Sequence, residues 1–470
     1  MKKELGAVIL AAGEGKRLKL NKPKPLAPCL DQCLVDFPIQ ELSKFFTQIN
    51  LKADEAQITA VVGHRKEEVI HYLSAKYQKL TFATQEQQLG TGDALRAYFN
   101  SQENAKNFQY TFILCADTPV VRSSVLYKMY QHAQAEKLDG VAASFRENQP
   151  AGYGRILRNP SDASFKIVEE KDASASEKAI TEVNSGMYLV KTQFLIEQLK
   201  KINAQNNSNE FYLTDIFQWG EKVQALLFNE AQYFLGVNTL KQLEHAENAL
   251  NQVLIDEHRE NGVRFIQSAT VRIDSQVEIG AGTVIYPQVS LRGRTKIGEN
   301  CTIDQGAIIK SSELSAQVKV HAYSVLEEAR VLSQAEVGPF ARLRPQTHLK
   351  EKVKIGNFVE IKKSVLDAGV KVSHLSYVGD AFIGEETNIG CGFITCNYDG
   401  AQKHVTKIGK HCFIGSDSQT VAPVEIGDDC FVASSSTITK NMPSGSFAIS
   451  RSPQITKENL AHRFIKKKKD

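Results

Sequence analysis

Val271–Lys310 reads VRIDSQVEIGAGTVIYPQVSLRGRTKIGENCTIDQGAIIK, and every sixth position in it is aliphatic: Ile273, Ile279, Ile285, Leu291, Ile297, Ile303 and Ile309. The series resumes at Val337, Leu343, Leu349, Ile355 and Ile361, returns as Ile383 and Ile389, and closes with Ile408, Ile414, Ile426, Val432 and Ile438, Thr420 taking one slot. Small residues often follow the aliphatic, as in Ile279-Gly280, Ile297-Gly298, Ile355-Gly356 and Ile426-Gly427. Ordinary strands show a period of two and irregular loops. An unbroken period of six instead describes a triangular solenoid. Each hexapeptide is one flat side, the aliphatic points into the prism, and the next small residue lets the chain turn a corner. Stacked coils then bury a continuous aliphatic column that no single coil could bury.

Lys362–Ser376 and Cys396–Thr406 do not keep the period. Both are polar, and loops that protrude from a rigid scaffold are where binding groups collect. They are expected to be excursions that carry chemistry.

Upstream of the solenoid the pattern changes to α/β. Gly6–Leu10 is a short buried-strand pattern that runs into Ala11-Ala12-Gly13-Glu14-Gly15-Lys16-Arg17. Small residues at a strand end let the backbone approach a phosphate or a base. It is neither a dinucleotide fingerprint, lacking a third glycine, nor a Walker loop, lacking GK[ST]. Ile58–Val62, Tyr110–Cys115 and Gly140–Ser144 are further strands with helical patterns between them. Such alternation gives a mostly parallel sheet with ligands at the carboxyl ends of its strands. Pro23-Lys24-Pro25 offers a conformationally restricted lysine. Gln85 and Gly90-Thr91-Gly92 add an amide beside a second glycine turn, and Asp117 places a carboxylate at a strand end. Thr239–Glu260 reads as one helix with an apolar face of Leu243, Ala246, Leu250 and Leu254, stopped by Asn261-Gly262.

At 470 residues the chain exceeds one ordinary core. The division expected is a Rossmann-like α/β domain over 1–238, a linker helix over 239–262, and a parallel β-helix with a C-terminal tail over 263–470. A net charge of +4 gives no reason to expect nucleic acid or a membrane as partner. Ala7–Ala12 is too short for a signal h-region or a spanning helix, so a cytoplasmic address is expected. The eight cysteines are scattered without metal-finger spacing and read as free thiols. Lys466–Lys469 reads as a solvated end.

From about Leu10 to about Pro453 the chain resembles the bifunctional N-acetylglucosamine-1-phosphate uridyltransferase and glucosamine-1-phosphate N-acetyltransferase family of bacterial cell-wall synthesis. The resemblance implies a nucleotidyltransferase followed by a left-handed β-helix acetyltransferase. Leu10, Ala11, Ala12 and Gly13 match the loop that meets uracil and phosphates, with Arg17 and Lys24 near the triphosphate. Gln85, Gly90 and Thr91 match the uracil-reading segment, and Cys115, Ala116 and Asp117 the strand end that brings the Mg²⁺ carboxylate. Gly154, Glu169 and Asn184 match sugar contacts, and Asn238 the second metal ligand. In the solenoid, Arg344 and Lys362 match the phosphate holders for glucosamine 1-phosphate, His374 the general base, and Tyr377 and Asn388 sugar contacts. Cys391, Asn397, Tyr398, Ser416, Ser434 and Arg451 match acetyl-CoA positions. Glu360 is expected to orient the imidazole. The implied substrates are UTP, acetyl-CoA, glucosamine 1-phosphate and N-acetylglucosamine 1-phosphate, and the implied assembly is a homotrimer.

The chain departs from the family at several points. Asp93 stands where a histidine is common, Cys391 and Ser434 where alanines are, Ala116 where a glycine often precedes the aspartate, and Leu30–Ile39 matches the usual turn poorly. Two other readings compete. One is a nucleotidyltransferase for another sugar whose solenoid only trimerises it. The other is a non-enzymatic scaffold. A solenoid kept for assembly needs aliphatics and small residues, not a cationic pair beside a histidine.

Overall fold

The computed structural model describes residues 3–52, 55–159, 164–219 and 221–465; Lys466–Lys469 lies outside them. The chain divides into two compact units, Met1–Leu250 and Asn251–Asp470. The division falls within the helix Leu240–Glu260, of whose apolar face Ala246, Leu250 and Leu254 are buried.

The first unit is built on a sheet with the strand order Val223–Phe228, Gly140–Arg146, Glu182–Lys191, Phe108–Cys115, Lys3–Ala11, Ala56–Val62, Thr81–Thr84. Glu182–Lys191 runs antiparallel to both neighbours; the other pairings along this path are parallel. Strand alternation splits the core in two. Leu5, Ala7, Ile9 and Ala11 pack on one face with Leu42, Phe45, Val69 and Met129 from three helices. Val8 packs on the other with Leu95, Tyr98, Leu195 and Leu199. Helices thus cover both faces, and chain order reverses beside the first strand, where Lys3–Ala11 meets Phe108–Cys115. That switch point leaves a crevice at the carboxyl ends.

The second unit is three parallel sheets of 11, 10 and 9 strands, most of them two or three residues long. The six-spaced aliphatics form one continuous core from Ile273 to Ile438. Buried hydroxyls occupy the corners and satisfy carbonyls there. Thr283 donates to Gly298 O at 2.9 Å, Thr347 to Arg344 O at 2.7 Å and Ser376 to His374 O at 2.7 Å.

The two breaks of period differ in kind. Leu349 pairs with Leu366 and Val372 with Ile389, coils of 17 residues that stay on the prism. Lys362–Ser376 is therefore a shortened coil, not the excursion expected, because one residue fewer at a corner alters the spacing without expelling chain. Between Ile389 and Ile414 a coil takes 25 residues, and the surplus over Asn397–Val405 leaves the prism as a loop. Among the described residues no helix is long and apolar enough to cross a membrane.

Candidate active sites

The crevice of the first unit is a cavity of about 320 Å³ lined by Leu10, Ala11, Ala12, Gly13, Lys24, Gln85, Gly90, Thr91, Cys115, Ala116 and Asp117, together with Gln88 and Glu210. Its two walls are joined where Ala116 N donates to Leu10 O at 3.0 Å. Gly15, at φ +73°, turns the loop back so that the Lys24 stem fills the place a Cβ would need. The Lys24 ammonium donates to Asp117 Oδ2 and, at 2.8 Å, to Asn238 Oδ1. Asn238 reaches this point because Val237 N donates to Asp117 O at 2.9 Å.

The ammonium shows that the two oxygens together accept a cation. A carboxylate and an amide carbonyl are hard oxygen donors of the kind Mg²⁺ takes. Two protein ligands would leave its other positions to water and phosphate, as Mg²⁺ prefers. Among the described residues no group of three or more His, Cys, Asp or Glu could hold a metal.

Gly154, Glu169 and Asn184 form a second cluster outside the cavity lining. Asn184 N donates to Gly154 O at 2.9 Å, and Glu169 accepts from Thr214 at 3.1 Å. Burial raises the Glu169 pKa, opposed by Thr214 and reinforced by Asp215 and Asp172. Arg17 is exposed in the short helix Lys16–Leu18 and does not line the cavity. Burial and the neighbouring Asp117 push the Cys115 thiol up to about 12. Glu210 was not legible beforehand. It is carried in by pairing of its loop with the glycine turn, Phe211 N donating to Leu89 O at 2.7 Å.

In the second unit stacking generates the site. Val372, Ile389, Ile414 and Val432 pair in succession. Two residues past them come His374, Cys391, Ser416 and Ser434, all exposed. The expected base and three of the expected acetyl-CoA residues therefore form one column along a single corner, spaced by roughly the 4.8 Å between strands. Arg451 joins its end by donating to Ser434 O at 2.7 Å.

His374 closes the strand Lys371–His374. Its Nδ1 lies 2.9 Å from Asn357 Oδ1, one coil away. With that oxygen accepting, Nδ1 is the donor, which leaves Nε2 as the ring nitrogen available to take a proton. Glu360 does not orient the ring, contrary to expectation. It accepts from Arg344 at 2.9 Å and lies 3.9 Å from Arg342, because its strand position faces the adjoining side of the prism.

Lys362 and Tyr377 lie on strands of that side, with Arg344 just past the end of the strand Arg342–Leu343, and Asn388 lies across the corner on the side that carries Val372 and Ile389. Lys403, from the Asn397–Val405 loop, stands beside Lys362 and, with burial and Arg344, lowers its pKa. Three cations gathered at one place fit a dianion. The loop is internally braced. Asp399 accepts from Ala401 N and Gln402 N at 2.7 Å and lies 2.6 Å from His404 Nε2. Asn397 is buried and donates to Asp380 at 2.6 Å, whereas Tyr398 is exposed.

Residues 6–252 match the nucleotidyl transferase family, and 276–311 and 406–440 match the bacterial transferase hexapeptide (six repeats) family. The molecule is thus a two-module transferase, a nucleotidyltransferase fold followed by a left-handed β-helix. It is 39% identical over 468 residues to the Bifunctional protein GlmU of Pelobacter propionicus, covering 98% of this chain and 99% of that one. It is 42% identical to that of Caldanaerobacter subterraneus subsp. tengcongensis, covering 99% of each, and 40% to that of Staphylococcus haemolyticus, covering 96% and 98%. The chain belongs to the GlmU family of bifunctional proteins.

Proposed function

We propose that the chain makes UDP-N-acetylglucosamine in two steps. In the solenoid, the amine of glucosamine 1-phosphate attacks the thioester carbonyl of acetyl-CoA. A C–N bond forms, the C–S bond breaks, and CoA leaves as the thiol. His374 Nε2 takes the proton the amine loses and passes it to the departing sulfur. An imidazole suits this because its unperturbed pKa lies near neutrality. Arg344, Lys362 and Lys403 hold the sugar phosphate, Tyr377 and Asn388 hold the sugar, and the donor lies along Cys391, Ser416, Ser434 and Arg451, with Asn397 and Tyr398 beside it.

In the first unit, a phosphate oxygen of N-acetylglucosamine 1-phosphate attacks the α-phosphorus of UTP in line, and pyrophosphate leaves. No protein nucleophile is needed, so positioning and charge carry the rate. Asp117 and Asn238 would hold Mg²⁺, which offsets charge on the phosphates when bound. Lys24 holds the triphosphate, and Gly154, Glu169 and Asn184 hold the sugar.

The single observation that carries the reading is the corner column, in which His374 has one nitrogen committed to Asn357 and the other left over, with Cys391, Ser416 and Ser434 following on successive coils. The sugar contacts Tyr377 and Asn388 lie on two sides of a corner, so one chain leaves the substrate open. A homotrimer in which a neighbour closes each site accounts for this. The address proposed is the cytoplasm. Paired assays of pyrophosphate and free CoA release test the reading. Both are expected with these substrates, and release of only one would reduce the chain to a single transferase.

A further inference from the structure

Gln85 is only 5% exposed. Its amide nitrogen has two hydrogens, and both have acceptors: Gly90 O at 3.0 Å and Asp93 Oδ2 at 2.9 Å. Gly90 can present that carbonyl because it stands at φ +111°. Asp93 is fixed in the first turn of the helix Thr91–Ser101. The opposite orientation of the amide would set its oxygen against a carbonyl and a carboxylate in a buried place, two unfavourable contacts. The orientation is therefore forced by two independent acceptors, and the carbonyl oxygen Oε1 is left for the cavity that Gln85 lines.

Among the described residues lining that cavity, Lys24 alone is cationic. Phosphates belong with Lys24, which leaves a nucleobase to the wall of Gln85, Gly90 and Ala94. A fixed acceptor on that wall favours a base that presents an N–H. Uracil carries a hydrogen on N3. Cytosine carries a lone pair there and would meet Oε1 with like charge.

We infer that Asp93 is a positioning residue for nucleobase choice: by holding the amide nitrogen of Gln85 it turns the Gln85 carbonyl toward the base and selects uracil over cytosine. The inference rests on the uridylyl-transfer reading of this cavity and adds a residue to it. Asp93 does not touch the base, and it acts through Gln85. Its carboxylate in the first turn of a helix has a purely structural alternative, stabilisation of the helix dipole, which would affect every nucleotide alike.

The test compares kcat/KM for UTP and CTP, each with N-acetylglucosamine 1-phosphate, in the full-length enzyme, Asp93→Ala and Asp93→Asn. Wild type is expected to favour UTP. Asp93→Ala should lower the UTP-to-CTP ratio by about tenfold, the scale of one buried hydrogen bond. Asp93→Asn should keep most of the preference, because its amide oxygen still accepts from Gln85 while the charge is gone. Pyrophosphate release that persists with UTP, together with an unchanged thermal unfolding transition, reports that the first unit of each variant is folded, since CoA release belongs to the other unit. An unmoved ratio in Asp93→Ala, or equal losses in the alanine and asparagine variants, would overturn the assignment of Asp93. A wild type that turns over no UTP at all would instead sink the uridylyl reading.

Discussion

Asn357 Oδ1 lies 2.9 Å from His374 Nδ1, and the two residues are register partners in adjacent coils. Coil stacking therefore brings the two side chains together, and the Asn357 oxygen sets which ring nitrogen donates. His374→Ala should lower acetyl transfer by about 10²–10⁴-fold, the range for losing a positioned proton acceptor. Asn357→Ala should lower kcat with little change in KM for either substrate, because the ring loses its orientation and no substrate contact is removed. Asn357→Asp should restore orientation and add a negative charge beside the ring. That charge favours the imidazolium, so the acid limb of the rate profile should move to higher pH. A profile that does not move in Asn357→Asp would separate Asn357 from His374.

Lys24 joins Asp117 and Asn238 as a single cation between two oxygens. Asp117→Ala removes the charged partner and one proposed metal ligand. Pyrophosphate release should fall to background while CoA release persists, since His374 and its column belong to the other compact unit. Retention of near-normal uridylyl transfer by Asp117→Ala in Mg²⁺ would refute the metal assignment.

The aliphatic column was legible because a solenoid repeats one environment, and the strand-end glycine loop because only small residues tolerate a close approach. What escaped was whatever tertiary pairing creates. Asn357 and His374 are 17 residues apart and meet only through stacking, whereas sequence distance alone favours the carboxylate of Glu360 as the ring's partner. Lys403 reaches Lys362 on the Asn397–Val405 loop, and nothing local marks it. Glu210 enters the first cavity through a loop pairing with the glycine turn. The shortened coil at Lys362–Ser376 misled for a related reason, since a lost residue and an inserted loop both break a period of six.

Lys403 and Arg344 together depress the Lys362 pKa. A lysine with a lowered pKa holds its proton below that value and loses it as pH rises, so phosphate binding should weaken earlier on the alkaline side than for an isolated lysine. Lys403→Ala removes the largest cause. It should raise KM for glucosamine 1-phosphate several-fold near neutrality, and it should also shift the alkaline rise in KM to higher pH. Steady-state KM against pH for wild type and variant checks both signs. An alkaline limb that stays in place would show that the two ammonium groups do not interact.

The cysteines offer a test that separates the two sites by chemistry alone. Cys391 and Cys396 are exposed, and Cys391 stands in the corner column one coil from His374. Cys115 borders the other cavity, but burial and Asp117 push its thiol up to about 12. The reactive species in alkylation is the thiolate, so Cys115 should stay inert near neutral pH. Cys301 and Cys412 are buried, and burial raises their pKa as well. Brief treatment with iodoacetamide should label Cys391 and Cys396 first and suppress CoA release while sparing pyrophosphate release. Acetyl-CoA should protect Cys391, and Cys391→Ala should make acetyl transfer resistant. Peptide mass spectrometry locates the adduct. Early labelling of Cys115, or loss of both activities together, would show that the first cavity is more open than its geometry implies.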